Sequence, residues 1–214
     1  METHGRTFIP AAGKDWLLPL YDPFLRLLGA AAIKRPLIDQ AAIQPGCRVL
    51  DIGCGTGSLT VDIKRLHPLA EVTGVDPDPK ALAIATRKAN QAGVSVTFDQ
   101  GFGDRLAYAD ASFDRVFSSL MFHHLTRDEK LATLAEVRRV LKPGGSLHLL
   151  DFCPPRGTMA RVAAHLFHRT AHAHDNIDGG VPAFMSEAGL TGAEEVSHRA
   201  TLVGSIACYR AGKR

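Results

Sequence analysis

The stretch VLDIGCGTG, residues 49–57, has the greatest influence on the predicted fold. Its apolar start predicts the end of a buried strand, and the run that follows, residues 58–67, predicts a helix. Gly53, Gly55 and Gly57 lie between the two, where glycine permits positive φ and has no Cβ to hold a ligand away. Because a helix that begins behind such a turn offers unpaired N–H groups, the stretch predicts a ligand-binding turn.

Short apolar segments alternate with helical ones along the middle of the chain. Strands are predicted at Arg48–Ile52, Glu71–Asp76, Val94–Phe98, Phe113–Ser118 and Ser146–Asp151. Asp78, Pro79 and Gly93 delimit one helix, through a side-chain cap, a proline in the first turn and a glycine past the end. Strands separated by helices of crossover length predict a parallel sheet that is covered on both faces.

The pattern changes toward the C-terminus. Thr126 and Glu129 form a capping box that begins another helix, and the run KPGG, residues 142–145, is expected to stop it. Two more helices are predicted at Thr158–Ala173 and Pro182–Ala188. The last two predicted strands, which are so close in sequence that they must be antiparallel, are Thr191–Arg199 and Val203–Arg210.

The predicted fold is therefore of the α/β class, a doubly wound, mostly parallel sheet with an antiparallel C-terminal hairpin and helices on both faces. We expect residues 45–214 to form the ligand-binding domain and residues 1–44 to form an N-terminal helical lid or cap. Within that cap, the apolar segment Trp16–Leu28 is interrupted by two prolines. It is either a helix packed on the core or a lid over the ligand.

Composition excludes several classes of protein. The 214 residues are 45% hydrophobic and 22% charged, which is typical of a globular chain. The net charge of +3 is too small to indicate a nucleic acid or an anionic membrane as partner. Neither a secretory signal nor a membrane-spanning run is predicted. The four cysteines lack the paired spacing of a zinc site or a disulfide framework, so a cytoplasmic location is expected.

The residue that ends the second strand points to a ribose. Open α/β sheets bind ligands beyond the carboxyl ends of their strands, and Asp76 ends the second strand. It follows Gly57 by 19 residues, close to the spacing of about 20 at which an acidic residue meets a ribose. Since a carboxylate accepts hydrogen bonds from both ribose hydroxyls, we predict ribose binding by Asp76 rather than a solvated strand end.

The glycine spacing separates two kinds of ligand. A dinucleotide site of the form G-x-G-x-x-G would need a third glycine at Ser58. The observed spacing suits a ligand without a pyrophosphate. Asp51, directly before the turn, would repel a phosphate and suits a cationic ligand.

Four segments together resemble the class I S-adenosylmethionine-dependent methyltransferases, in particular the subset that includes the ubiquinone and menaquinone C-methyltransferases and many small-molecule enzymes. These segments are residues 49–57, Asp76, ASFDRV at 111–116 and LKPGG at 141–145. The resemblance covers about residues 45–151. It implies a Rossmann-like, seven-stranded sheet whose last strand is antiparallel. It also implies S-adenosylmethionine as cofactor and S-adenosylhomocysteine as product.

The resemblance also implies roles around the cofactor. Gly53, Gly55 and Gly57 would face the methionine part, and Asp51 would hold that region through backbone or water. Asp76 would bind the ribose hydroxyls. The other implied contacts are Pro77 beside the adenine and Ser118 at the methionine end.

One position departs from the family pattern. Many relatives carry Gly-Asp-Ala after the third strand, where the Asp accepts a bond from the adenine amino group, but here the run is Gly101-Phe102-Gly103. Phe102 cannot accept that bond. It either covers the adenine by apolar or stacking contact or packs into the core beneath the loop. Alternatively, Asp104 reaches inward through a shifted loop.

The chemistry of methyl transfer needs alignment more than a catalytic group, so no metal is predicted. His123 and His124 follow the fourth strand and are candidates for substrate contact or general base, against a purely structural role. His174, in a polar loop, could border the substrate pocket. Tyr21, in the predicted lid, is a candidate for cofactor or substrate contact.

Three other histidines are predicted to lie on a solvated surface rather than in a metal site. His165, His168 and His172 share a helix face with Arg161, opposite an apolar stripe.

We therefore predict an enzyme that methylates a small, partly apolar molecule, with no nucleic acid partner. The run Ser118–Met121 lacks the Asn/Asp-Pro-Pro-aromatic pattern of base and amide methyltransferases, and Cys153 lacks the context of a cytosine enzyme. Whether carbon, oxygen, nitrogen or sulfur is methylated stays open, as does the oligomeric state, with a homodimer among the options. The alternatives are a non-catalytic S-adenosylmethionine-binding partner protein and an NAD-dependent oxidoreductase.

Overall fold

The computed structural model describes residues 30–154, 180–201 and 204–214. The helices in this part are α1 (Ala30–Asp39), α2 (Ser58–Leu66), α3 (Pro79–Gln91), α4 (Arg127–Val140) and α5 (Val181–Glu187). The strands are β1 (Arg48–Ile52), β2 (Glu71–Asp76), β3 (Thr97–Gln100), β4 (Phe113–Ser119), β5 (Leu141–Phe152), β6 (Thr191–Thr201) and β7 (Gly204–Gly212). A 3₁₀ turn at Phe122–His124 follows β4.

The described strands form one seven-stranded sheet in the order β3-β2-β1-β4-β5-β7-β6. The pairs from β3 to β5 are parallel, whereas β7 is antiparallel to both β5 and β6. The mostly parallel sheet and the antiparallel C-terminal hairpin are thereby confirmed. The strand order reverses between β1 and β4, and in open α/β sheets such a reversal leaves a ligand crevice at the carboxyl ends.

Helices cover both faces of the sheet, as predicted. On one face Leu50 and Ile52 of β1 join a core that includes residues of α4 and α5, such as Leu134 and Phe184. On the other face Val49 joins a core that α1 and α2 supply, with Leu37, Ile38, Leu59 and Ile63. Burying β1 on both faces explains its continuous apolar run, because a central parallel strand has no solvent face.

Two predicted boundaries were wrong by more than two residues. The third strand begins at Thr97 rather than Val94, because the backbone N–H of Val94 still bonds to Ala89 at the end of α3. The fourth helix ends at Val140, and Leu141 already has extended backbone angles and a fully buried side chain opposite Phe113. The KPGG run therefore lies inside β5, at a register shift, and does not stop the helix itself.

Several predicted features lie outside the described residues. They are most of the N-terminal cap, Tyr21, the helix predicted at Thr158–Ala173 with its histidines, and His174.

Candidate functional site

The turn after β1 needs glycine for two reasons. Gly53, Gly55 and Gly57 have φ values of 67°, 52° and 72°, all in the left-handed region. A Cβ on Gly53 would clash with Cγ of Met121, and one on Gly57 would lie 2.7 Å from Cβ of Ala85. Gly57 is also the N-cap residue of α2 and makes no side-chain cap. The predicted turn is confirmed, and it presents backbone at the carboxyl end of the central strand.

Asp76, at the end of β2, is bonded to the glycine turn itself. Its Oδ2 accepts a hydrogen bond from the backbone N–H of Gly55 at 2.8 Å, and its Oδ1 accepts one from Asp78 at 2.9 Å. Burial raises the pKa of Asp76, and these two bonds lower it in part. Because each carboxylate oxygen has a second lone pair, the group can still accept ligand hydroxyls. This structural role was not predicted from the sequence.

Asp51 is a buried carboxylate on β1. Thr60 of α2 donates its hydroxyl to Oδ2 at 2.6 Å. Among the described residues, Oδ1 has no hydrogen-bond partner. Burial raises the pKa of Asp51 to about 7, and the Thr60 bond and the charge of Lys34 act in the opposite direction. A buried acceptor with one open oxygen suits a cationic group, since an uncompensated buried charge is costly.

The end of β4 packs on the same turn. Ser118 lies beside Ile52 in the sheet, and its hydroxyl is buried with no partner in the described part of the chain. Leu120 has φ 55°, an uncommon value for a residue with a branched side chain. This bend directs the next residue, Met121, against Gly53. Strands β1 and β4 therefore both place polar or backbone groups at the crevice.

His123 and Asp151 form a hydrogen-bonded pair on the far side of β4. The distance from His123 Nδ1 to Asp151 Oδ1 is 2.8 Å, and the backbone N–H of His123 donates to Oδ2 at 3.2 Å. Burial would raise the pKa of Asp151, but the His123 ring and backbone N–H groups, including that of Phe152, hold the pKa below its usual value. An ionised Asp151 keeps the proton on Nδ1, which leaves Nε2 as an acceptor.

Neighbouring rings hold the His123 imidazole on two sides. The His124 ring lies 3.9 Å away between centroids, and Phe152 packs edge-on at 4.8 Å. The His123 side chain is 12% exposed. The structure thus brings the two predicted histidines together. Sequence reasoning missed Asp151, although its position at the end of the predicted fifth strand was the signal that could have found it.

The loop after β3 closes the other side of the crevice. Phe102 is half-buried, and its backbone forms an isolated bridge with Arg105 in this loop. A Cβ on Gly103 would lie 2.8 Å from Cγ2 of Ile52, which places this loop at the end of β1. Pro77 is held nearby, because its carbonyl accepts a bond from the Gln100 amide at 3.0 Å.

No described helix has the length and hydropathy needed to cross a bilayer. Within the same residues, no three His, Cys, Asp or Glu side chains are grouped as a metal site would require.

Comparison with known proteins gives consistent matches. A family model described as a methyltransferase domain matches residues 49–145. The chain is 38% identical over 157 residues to the demethylmenaquinone methyltransferase of Thermus thermophilus, which covers 72% of this chain and 70% of that protein. It is 37% identical over 154 residues to the enzyme of the same name from Deinococcus radiodurans, which covers 71% of this chain and 63% of that protein.

Solved structures agree with the fold. A SAM-dependent methyltransferase from Aquifex aeolicus superposes with a TM-score of 0.68 at 18% identity, covering 92% of this chain and 98% of that one.

Proposed function

We propose that this chain, which belongs to the class I S-adenosylmethionine-dependent methyltransferases and methylates a small molecule, uses a quinol or a related hydroxylated ring as its acceptor. The observation that carries the proposal is the His123–Asp151 pair, since an oriented imidazole is suited to removing a hydroxyl proton. The names of the Thermus and Deinococcus relatives support the same class of acceptor.

The cofactor is proposed to lie across the carboxyl ends of β1, β2 and β4. Oδ1 of Asp51 and the hydroxyl of Ser118 are buried without a hydrogen-bond partner among the described residues, and they fit a polar ligand group at the methionine end, beside the glycine turn. Asp76 is proposed to bind the ribose hydroxyls. The residues proposed at the adenine are Pro77, Phe102 and Gly103, with Phe102 in apolar or stacking contact.

In the proposed reaction the protein mainly orients the acceptor and removes the proton from its hydroxyl group. S-adenosylmethionine supplies an electrophilic methyl group on a sulfonium. Nε2 of His123 takes the proton from the acceptor hydroxyl, which raises the electron density on that oxygen and on the adjacent ring carbon. Asp151 stabilises the resulting imidazolium through Nδ1. His124, His174 and Tyr21 remain proposed contacts to the acceptor or the cofactor.

The test is methyl transfer to a panel of quinols, phenols, thiols and amines, followed with the variants His123→Ala and Asp151→Asn. We expect transfer to the quinols or phenols, and a loss of roughly 10²–10⁴-fold in kcat with His123→Ala, while S-adenosylhomocysteine still binds. Mass spectrometry and NMR of the product distinguish methylated carbon from methylated oxygen.

The matched control is His67→Ala, because His67 ends α2 at the opposite edge of the sheet. Its kcat should equal that of the unaltered protein. Full activity in His123→Ala would rule out His123 as the base, and transfer to amines or thiols alone would rule out the acceptor class.

A further inference from the structure

The end of strand β5 brings a thiol close to an imidazole. Cys153 directly follows β5 and is 2% exposed. Its Sγ lies 3.4 Å from Nδ1 of His198 in β6. The Glu195 carboxylate lies 3.6 Å from the same nitrogen, and the His198 side chain is 15% exposed. A thiol within reach of a histidine, with a carboxylate beside the ring, has the arrangement of an activated nucleophile.

The pairing of the last three strands shows why these groups meet on one face of the sheet. Asp151 is opposite Ala207, which in turn is opposite His198. Residues directly opposite each other point to the same face, as do residues two apart in one strand. Cys153, two residues after Asp151, therefore shares a face with His198. The two side chains meet across β7 because the intervening Ala207 is small.

A third polar group on this face is a buried hydroxyl. The backbone N–H of Cys153 donates to the carbonyl of Ser205 at 3.0 Å, so the two residues are neighbours in the β5–β7 pair. Ser205 precedes Ala207 by two residues and therefore faces the same way. It is 2% exposed, and its hydroxyl has no hydrogen-bond partner among the described residues. Since an unsatisfied buried hydroxyl is costly, this group is suited to a ligand oxygen.

The thiol, the imidazole and the hydroxyl lie beside the proposed acceptor site. Asp151, which bonds to His123, faces the same side of β5 as Cys153 and is one pleat away. An acceptor that contacts His123 is therefore close to the thiol. The oxidised form of a quinol is a quinone, an electrophile of the kind that thiolates attack.

We propose that Cys153 captures quinones by covalent addition, with His198 as its base and Ser205 as donor to a carbonyl oxygen. The choice of a quinone rests on the proposed acceptor class. The Cys153 sulfur forms a bond to a ring carbon, and the displaced π electrons move onto the carbonyl oxygens. His198 passes the thiol proton to one oxygen, and the hydrogen of the attacked carbon leaves as a proton to the other. The product is a thioether of the quinol, so no group leaves and no further oxidant or reductant is needed.

The experiment follows adduct formation on the folded protein by mass spectrometry. The probe is 1,4-benzoquinone, mixed with the protein in equal amount and quenched at short times, and digestion then assigns the modified cysteine. We expect a mass increase of one whole quinone at Cys153, because addition loses no atoms. The matched control in the same sample is Cys208, which is 3% exposed and lies in the core on the opposite face of the sheet.

Variants of the hairpin test the two assisting groups. His198→Gln should slow modification of Cys153 at least about tenfold, because the thiol loses its base. Ser205→Ala should slow it about fivefold, the equivalent of one hydrogen bond. Ser197→Ala is the matched control, since Ser197 is exposed and is opposite Cys208 on the other face. This variant should leave the rate at Cys153 unchanged.

Modification of Cys208 as fast as Cys153, or of the partly exposed Cys47 alone, would overturn the inference. This comparison uses the unaltered protein, so it decides the matter even where a variant does not fold. Methyl transfer to quinols without an adduct at Cys153 would overturn the inference and leave the proposed function intact. An adduct at Cys153 in a protein that transfers no methyl group to quinols would support the inference and overturn the proposed function.

Discussion

Two buried aspartates at the crevice differ in charge because their donors differ. Asp151 accepts hydrogen bonds from the His123 ring and from two backbone N–H groups, which hold its pKa below the usual value. Asp51 accepts from Thr60 alone among the described residues, so burial prevails and its pKa rises to about 7. Asp151 therefore stays ionised to orient a base, whereas Asp51 is largely ionised only above about pH 7 or beside a cation.

Asp51 should make cofactor affinity depend on pH. Because its folded pKa of about 7 lies above the usual 3.8, its contribution to the free energy of unfolding is present at low pH and is lost as the pH rises between these values. Asp51 is proposed to lie at the methionine end of the cofactor, whose ammonium favours the ionised carboxylate. We therefore expect the affinity for S-adenosylhomocysteine to weaken, by up to about tenfold per pH unit, as the pH falls below about 7.

Calorimetry between about pH 5 and pH 8 measures this dependence. Asp76 also has a raised pKa and lies close enough to raise that of Asp51, so a variant must separate the two. Asp51→Asn should bind more weakly and show a flattened pH profile. An unchanged profile in this variant would assign the titration to Asp76, and a flat profile in the unaltered protein would contradict the prediction altogether.

The segment between β4 and α4 depends on local geometry at both ends. At one end, the left-handed Leu120 bends the chain so that Met121 meets Gly53 and the 3₁₀ turn carries His123 to Asp151. At the other end, the Thr126 hydroxyl accepts from the N–H of Glu129, whose carboxylate in turn accepts from the N–H of Thr126. The position of the histidines thus depends on how β4 ends and how α4 begins.

The capping box should stabilise α4 measurably. Thr126→Ala leaves N–H groups of the first turn without their acceptor, so we expect a loss of about 1 kcal/mol in the free energy of unfolding. For a chain of this size the melting temperature should fall by roughly 2–4 °C. Thermal and urea unfolding check both values.

Thr86→Ala removes the same hydroxyl from the interior of α3, where it bonds to the Leu82 carbonyl. Since alanine is the better helix former, this control should be neutral or slightly stabilising. Equal losses in the two variants would show that the capping box contributes nothing specific.

The folded protein should distinguish S-adenosylhomocysteine from NAD, two ligands that sheets of this kind bind. S-adenosylhomocysteine at about 100 times its dissociation constant should add about 2.7 kcal/mol to the free energy of unfolding. We expect a matching rise in melting temperature with this ligand and none with NAD, because Ser58 replaces the third glycine of a dinucleotide turn. Differential scanning fluorimetry with each ligand measures this difference. A rise in melting temperature with NAD alone would contradict S-adenosylmethionine as the cofactor of this chain.

The local pattern was enough to predict most of the architecture. The glycine turn, the caps at Asp78 and Thr126, the parallel strands and the antiparallel hairpin all follow from periodicity and turn chemistry, which act between near neighbours. The two wrong boundaries arose where a non-local pairing or a helix cap overrode the local pattern. Leu141 pairs with Phe113 across the sheet, and Val94 still bonds to the end of α3.

The functional pairs required the tertiary structure. His123 meets Asp151, 28 residues away, because β4 and β5 are neighbours in the sheet. The charge of Lys34 acts on the pKa of Asp51 because α1 packs on the face of β1 that bears this carboxylate. The cofactor motif can therefore be recognised from the sequence itself, because its residues are consecutive and form one turn. The base and the charged pair depend on strand order and helix packing, which bring distant segments together and remove them from water.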